Sequence, residues 1–287
     1  MKQHLGSALG LMAFPLLAAL SVACGGSDGD SSSSEGGASA NAGASSHAGT
    51  SSHAGASSHA GSDGVYLGPT LGTAQPFAAL AYSAISAANL SPVTGDLGVS
   101  AGAMSNITGF DAPTDAKYGI DSLAPDNQRT NLAQQDVTAL TGDIDSRACD
   151  ADYTDVLGGL TGDITLHPGV TCMNSFSADV LLNGHVTLDA ENDPNAFFVI
   201  RSNLTLTAAD GAEVVLANGA QACSVFWSVN KQVTIGKTVR LYGTLIAGTA
   251  ITMKTGSTLV GRALAQTAAV ALDANTITIP TDCSHLQ

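Results

Sequence analysis

Val233-Thr234-Ile235-Gly236 is followed by Ile251-Thr252-Met253-Lys254, and both read apolar, Thr, apolar, variable. Val186-Thr187-Leu188-Asp189 and Leu204-Thr205-Leu206-Thr207 keep that frame on the N-terminal side, and Val270-Ala271-Leu272-Asp273 keeps it on the C-terminal side with Ala for Thr. The steps are 18, 29, 18 and 19 residues, which is the length of one coil of a β-solenoid with a single insertion. A second series, Phe197-Phe198-Val199-Ile200, Val225-Phe226-Trp227-Ser228, Thr244-Leu245-Ile246-Ala247 and Arg262-Ala263-Leu264-Ala265, recurs at nearly the same spacing. A third, Arg240-Leu241-Tyr242-Gly243 and Thr258-Leu259-Val260-Gly261, gives each coil three sides. The pattern predicts a mainly β fold, a β-helix of triangular cross-section. Apolar residues alternate inward, and Thr187, Thr205, Thr234 and Thr252 are expected to form one outward ladder.

The N-terminus is set apart from this fold. Lys2 and the apolar run from Leu9 to Ala23 read as an export signal over residues 1–23, too short for a good membrane span. Leu20-Ser21-Val22-Ala23-Cys24 resembles the lipobox of bacterial lipoproteins, with Ser21 where that motif usually has Leu. Acylation of Cys24 is expected, the alternative being an ordinary secretion signal. Residues 24–64 are almost entirely Gly, Ser, Ala, Asp and His; they have too little apolar surface to offset the entropy of ordering, and are expected to form a disordered tether. His47, His53 and His59 recur within it, and a low-complexity spacer explains them without a metal site. Residues 65–287 are enough for one large β domain.

The formal charge is −14, which argues against nucleic acid or an anionic membrane surface as partner. Charged residues are only 12% of the chain, so much of the surface must be neutral. Besides Cys24 there are Cys149, Cys172, Cys223 and Cys283, an even count that allows three connectivities in an exported protein. Cys149–Cys172 and Cys223–Cys283 are the preferred pairs. Zinc is disfavoured because no Cys-x-x-Cys pair is present.

One stretch breaks the strand pattern. Residues 126–143 lack Gly and Pro until Gly142 and place Leu132, Ala133, Val137 and Leu140 on one side, which predicts a single long helix beginning after Pro125 and lying along the solenoid flank.

Leu71-Gly72-Thr73-Ala74, Phe77-Ala78-Ala79-Leu80, Thr94-Gly95-Asp96-Leu97-Gly98-Val99, Ile107-Thr108-Gly109-Phe110, Pro168-Gly169-Val170, Val225-Phe226-Trp227, Gly261-Arg262-Ala263-Leu264-Ala265-Gln266 and Leu272-Asp273-Ala274-Asn275-Thr276-Ile277-Thr278 together resemble the microbial ice-binding (antifreeze) proteins with a discontinuous β-solenoid. The likeness runs from about Leu67 to Pro280. It implies a right-handed β-helix built from non-consecutive parts of the chain with one helix alongside. It also implies adsorption to ice, thermal hysteresis and inhibition of recrystallisation, by a monomer with no cofactor. Thr-Ala/Gly-x-Thr/Asn motifs occur in some members; here they are Thr249-Ala250-Ile251-Thr252 and Thr255-Gly256-Ser257-Thr258. Several members carry Thr where this chain has Ala271. The expected ice-binding residues are Thr187, Thr205, Thr234, Thr249, Thr252, Thr258 and Ala271.

Catalysis is not expected. Polysaccharide-cleaving β-helices need clustered carboxylates with basic residues, whereas Asp179, Asp189, Asp193, Asp210 and Asp273 sit mostly beside Gly, Asn or Pro, where Asp is a turn residue. A cell-surface adhesin or polysaccharide-binding module is the alternative. Sugar platforms use exposed aromatic rings, and Trp227 and Phe226 lie in a strand that reads as core.

Overall fold

The computed structural model describes residues 68–110, 116–153, 159–173 and 179–281. Every strand pairing in it is parallel, and each strand pairs with its equivalent one coil away, as in a solenoid. One coil shows the plan. Val225–Val229 forms the first side, Val233–Ile235 the second and Arg240–Tyr242 the third. The chain then turns at Gly243, and Thr244–Ala247 begins the next coil on the first side. The sides are called here the helix face, the ladder face and the mixed face.

The stack is not in chain order. The last coil, with strands ending at Ala265, Val270–Leu272 and Thr276–Thr278, pairs with the first strands of the chain: Phe77–Ala81, Ile85–Ala87 and Val93–Thr94. The N-terminal coils are therefore stacked beyond the C-terminal ones. Tyr118 ends the stack on one side and Ala151–Asp152 starts it on the other, so the chain must travel the length of the solenoid between them.

Helix α1, Arg129–Ser146, makes that journey after a 3-10 turn at Asp126–Gln128. Its 18 residues span about 27 Å at 1.5 Å per residue. At its start the Arg129 guanidinium lies 4.3 Å from the Tyr118 ring centre and 3.2 Å from Asp96. At its end Arg201 donates to the carbonyls of Ile144, Asp145 and Arg147 at 3.0, 2.9 and 3.2 Å, placing a cation where the helix carries exposed acceptors. The Cys149–Cys172 disulfide then ties the exiting chain to the strand Gly169–Met173, as the sequence led us to expect.

Two apolar cores result. The larger fills the solenoid and includes Trp227, whose indole N–H donates to the Tyr242 carbonyl at 3.0 Å. The smaller lies between α1 and the helix face and joins Ala133, Val137, Leu140 and Ile144 to Phe77, Phe226, Ile246 and Leu264. Trp227 is core, as expected; Phe226, one residue away, points out of the solenoid and under the helix. The buried stripe of α1 is Thr130, Ala133, Val137, Leu140 and Ile144. Leu132, expected within it, is exposed, because one residue off the stripe is a rotation of about 100°.

The corner between the mixed and helix faces depends on stacked glycines. Gly243 and Gly95 have φ of 107° and 125°, a region open mainly to glycine. Gly261 sits over Gly243, and a Cβ on it would lie 1.8 Å from the Gly243 carbonyl oxygen. Gly261→Ala must push two coils apart, and we expect it to cost about 1–3 kcal/mol or more, read as a lower midpoint in denaturant unfolding.

Candidate functional site

The candidate site is the ladder face. Register places Leu181, Thr207, Thr234, Thr252, Ala271, Ser86 and Thr108 next to one another in that order. The apolar neighbours of each rung point inward: Val233, Ile235, Ile251 and Met253 are at most 1% exposed. Alternation along a strand therefore turns each rung outward. Spacing of about 4.8 Å between rungs makes the row from Thr207 to Thr108 about 24 Å long. Thr207, Thr234 and Thr252 are half-buried by their neighbours, while Ser86 and Thr108 are exposed. Three consecutive β-branched Thr, stiff at χ1, form the centre of the row.

This alignment corrects the expected ladder. Thr234, Thr252 and Ala271 are adjacent, as anticipated, but Thr187 lies on the mixed face, paired with Thr165 and Val215. The strand Val180–Asp189 is ten residues long and turns a corner; its ladder-face position is Leu181, six residues before Thr187. Thr205 precedes the strand Leu206–Ala208, and the rung there is Thr207. The slip by two preserves the inward-outward alternation, so periodicity could not detect it. Thr249 is exposed in the turn before Ile251–Met253, with its N–H bonded to the Lys231 carbonyl. Thr258 belongs to the mixed face, paired with Arg240 and Thr276.

Ser86 and Thr108 were missed. Ile85-Ser86-Ala87 and Ile107-Thr108 carry the apolar-hydroxyl frame, but they lie far from Ala271 in the chain and join the row only because the two chain ends stack. The row is held at this junction by side chains as well as by backbone pairing. Asp273 accepts hydrogen bonds from the Thr255 hydroxyl and from the Asn89 amide of the adjoining N-terminal coil. Inside the same corner Asn275 donates to the Lys254 carbonyl at 2.8 Å, and its own N–H meets Ser91 Oγ at 3.2 Å.

The other two sides are poor candidates by comparison. The helix face is covered by α1. Along the mixed face Asp163, His185, Glu213 and Arg240 form a row of polar and charged side chains, with His185 Nδ1 3.1 Å from Asp163 and Arg240 3.4 Å from Glu213. The bulky Tyr242 stands beside that row. The middle row of the ladder face contains neither charge nor ring. Among the described residues no group of three or more His, Cys, Asp or Glu is placed to hold a metal.

The profile of the ice-binding-like family matches residues 79–278. The chain belongs to that family. An ice-binding protein of Nostoc sp. (strain HG1) is 37% identical over 211 residues, covering 72% of each chain. An ice-binding protein of Colwellia sp. is 35% identical over 224 residues, covering 74% of this chain and 84% of the relative. Among solved structures, an ice-binding protein from an Arctic yeast, described for its antifreeze activity, superposes with a TM-score of 0.68 at 30% identity, over 75% of this chain and 96% of the other.

The pinned carboxylate at the junction has a consequence in acid. The Thr255 hydroxyl first, and the Asn89 amide second, hold the Asp273 carboxyl below the usual carboxylate range. A depressed carboxylate contributes its stability in full above its unfolded-state pKa, roughly 4, and loses it as the pH falls through the lower folded-state value. Thermal unfolding followed from pH 5 down to pH 2 should show the midpoint of the native protein falling more steeply than that of Asp273→Asn.

Proposed function

We propose that this protein binds ice through the ladder face, giving thermal hysteresis and inhibiting recrystallisation. The observation that carries the reading is the uninterrupted row Thr207, Thr234, Thr252, Ala271, Ser86 and Thr108, on a side of the solenoid that no described helix covers. Each rung presents a methyl, a hydroxyl or both at a fixed repeat. The buried strands beneath hold that repeat before contact, so little side-chain entropy is lost on adsorption. Water held against methyl groups while bonded to hydroxyls is ordered without a strong local charge to orient it otherwise. Ala271 keeps the methyl and drops the hydroxyl, which leaves the row flat. The affinity is spread over the face rather than concentrated in one residue.

Membership of a family whose relatives are named for ice supports this reading. The adhesin or glycan-binding alternative has no comparable support: the relatives are not named for sugars, and the ladder row offers no ring for stacking.

We also propose that the domain acts as an exported monomer, anchored by lipid at Cys24 and carried on the tether of residues 24–64. This part of the reading rests on sequence, since residues 1–67 lie outside the described residues. A flexible tether of that length has a root-mean-square reach of about 35 Å, enough to let the ladder face turn toward a crystal outside the cell.

The deciding experiment grows a single ice crystal in the purified domain and measures faceting and the hysteresis gap. Thr234→Tyr and Thr252→Tyr should each lower hysteresis by half or more while leaving unfolding within roughly 0.5 kcal/mol. Thr187→Tyr, on the mixed face, should leave hysteresis unchanged. If Thr187→Tyr is the damaging variant and the other two are silent, the mixed face is the binding surface.

A further inference from the structure

A groove of about 410 Å³ lies between α1 and the corner where the helix face turns into the ladder face. That is the volume of a small-molecule site. One wall is helical: Asn131, Gln134, Gln135 and Thr138 stand at i, i+3, i+4 and i+7, so they share one side of α1. The other wall comes from two neighbouring coils, with Tyr82 directly after the strand Phe77–Ala81 and Ser100 directly after Asp96–Val99. The pairing of Ala81 with Val99 sets these two residues one coil apart. In a chain of formal charge −14, none of the six side chains is charged.

Two oxygens of this lining, Ser100 Oγ and Gln134 Oε1, are buried without a hydrogen-bond partner. Ser100 is 7% exposed. The Gln134 side-chain nitrogen is already occupied, donating to the carbonyls of Ala265 and Gln266 at 3.4 and 3.1 Å, which holds the oxygen of the same amide in place with nothing to accept from. Buried polar atoms are normally satisfied, so such a pair marks a place where a partner belongs. Beside them the Tyr82 ring is 47% exposed. Its backbone is fixed on both sides, the N–H donating to the Ala268 carbonyl at 3.0 Å and the carbonyl accepting from the Ala101 N–H at 2.8 Å. Among the described residues no hydrogen bond holds its hydroxyl.

We propose that this groove binds one small neutral polyol, a free mono- or disaccharide. The C–H face of the ligand packs on the Tyr82 ring, which is flat and amphipathic. One ligand hydroxyl donates to Gln134 Oε1, a second exchanges a hydrogen bond with Ser100 Oγ, and the exposed amides of Asn131 and Gln135 bond to the remainder. Tyr82, anchored by its backbone and free at its hydroxyl, is the wall that shifts to let those groups reach the two buried oxygens. An ionic ligand would find no opposite charge here, and an apolar one would leave both oxygens unpaired. A long glycan does not fit, because the helical wall from Asn131 to Thr138 spans only about 10 Å and offers a single ring. The site is separate from the ladder row, so the proposal does not rest on ice binding and its test uses no ice.

The full exported chain, isotope-labelled, is titrated with trehalose, with glycerol and with neutral dextran while its side-chain amide resonances are followed by NMR. Trehalose is expected to shift the Gln134 and Asn131 amides saturably. Ser100→Ala should weaken that binding about fivefold or more, yet leave the Tm unchanged or higher, because the hydroxyl it removes has no partner within the protein. Tyr82→Ala should weaken it about tenfold. No saturable shift with either trehalose or glycerol overturns the proposal. So do shifts that persist unchanged in both variants, or binding of dextran without binding of the free sugar.

Discussion

The parallel pairing of Val270–Leu272 with Ile85–Ala87 is the contact on which the rest depends. It joins the last coil to the first, and without it the solenoid would be two short stacks, each with an open edge of unpaired backbone groups. The neighbouring pairings of Ala263 with Ala79 and of Ile277 with Val93 close the other two sides at the same level. Asp273 and Asn89, with Asn275 and Ser91, add hydrogen bonds across the seam. A flat outer row can cross a chain break only if the backbone on both sides is in register, and here it is.

The remaining architecture follows from that seam. Stacking the N-terminal coils beyond the C-terminal ones separates residues 118 and 151 by the length of the solenoid. A helix is an economical way to cover that distance, because it satisfies its own backbone groups while offering an apolar stripe to the strands. The helix face accordingly has apolar residues on both sides of its strands: Trp227 points into the solenoid and Phe226 points toward α1. One side is thereby removed from contact with anything outside. Of the other two, the mixed face carries the charges and the large ring, and the ladder face carries small neutral groups.

Much of this was legible in the chain. The recurrence of apolar-Thr-apolar gave the coil, its three sides and the insertion, because a side-chain period of two and a coil period near 18 are imposed by backbone geometry alone. The position within a coil was less legible. Thr187 and Thr205 fit the frame as well as Thr234 does, since a strand that rounds a corner keeps its alternation while changing face. Ser86 and Thr108 have the right neighbours but were hidden by the order of stacking, which depends on contacts between distant segments. Leu132 was misassigned by one position on a helix whose buried stripe includes a threonine, Thr130, that a purely apolar criterion passes over.

Helix α1 also acts as a ruler. Each coil adds about 4.8 Å to the solenoid and each helical residue about 1.5 Å, so one more rung on the outer row requires roughly three more residues in the return segment. A relative with a longer face cannot simply gain a coil by duplication; its helix must grow in step, or the two chain ends no longer meet.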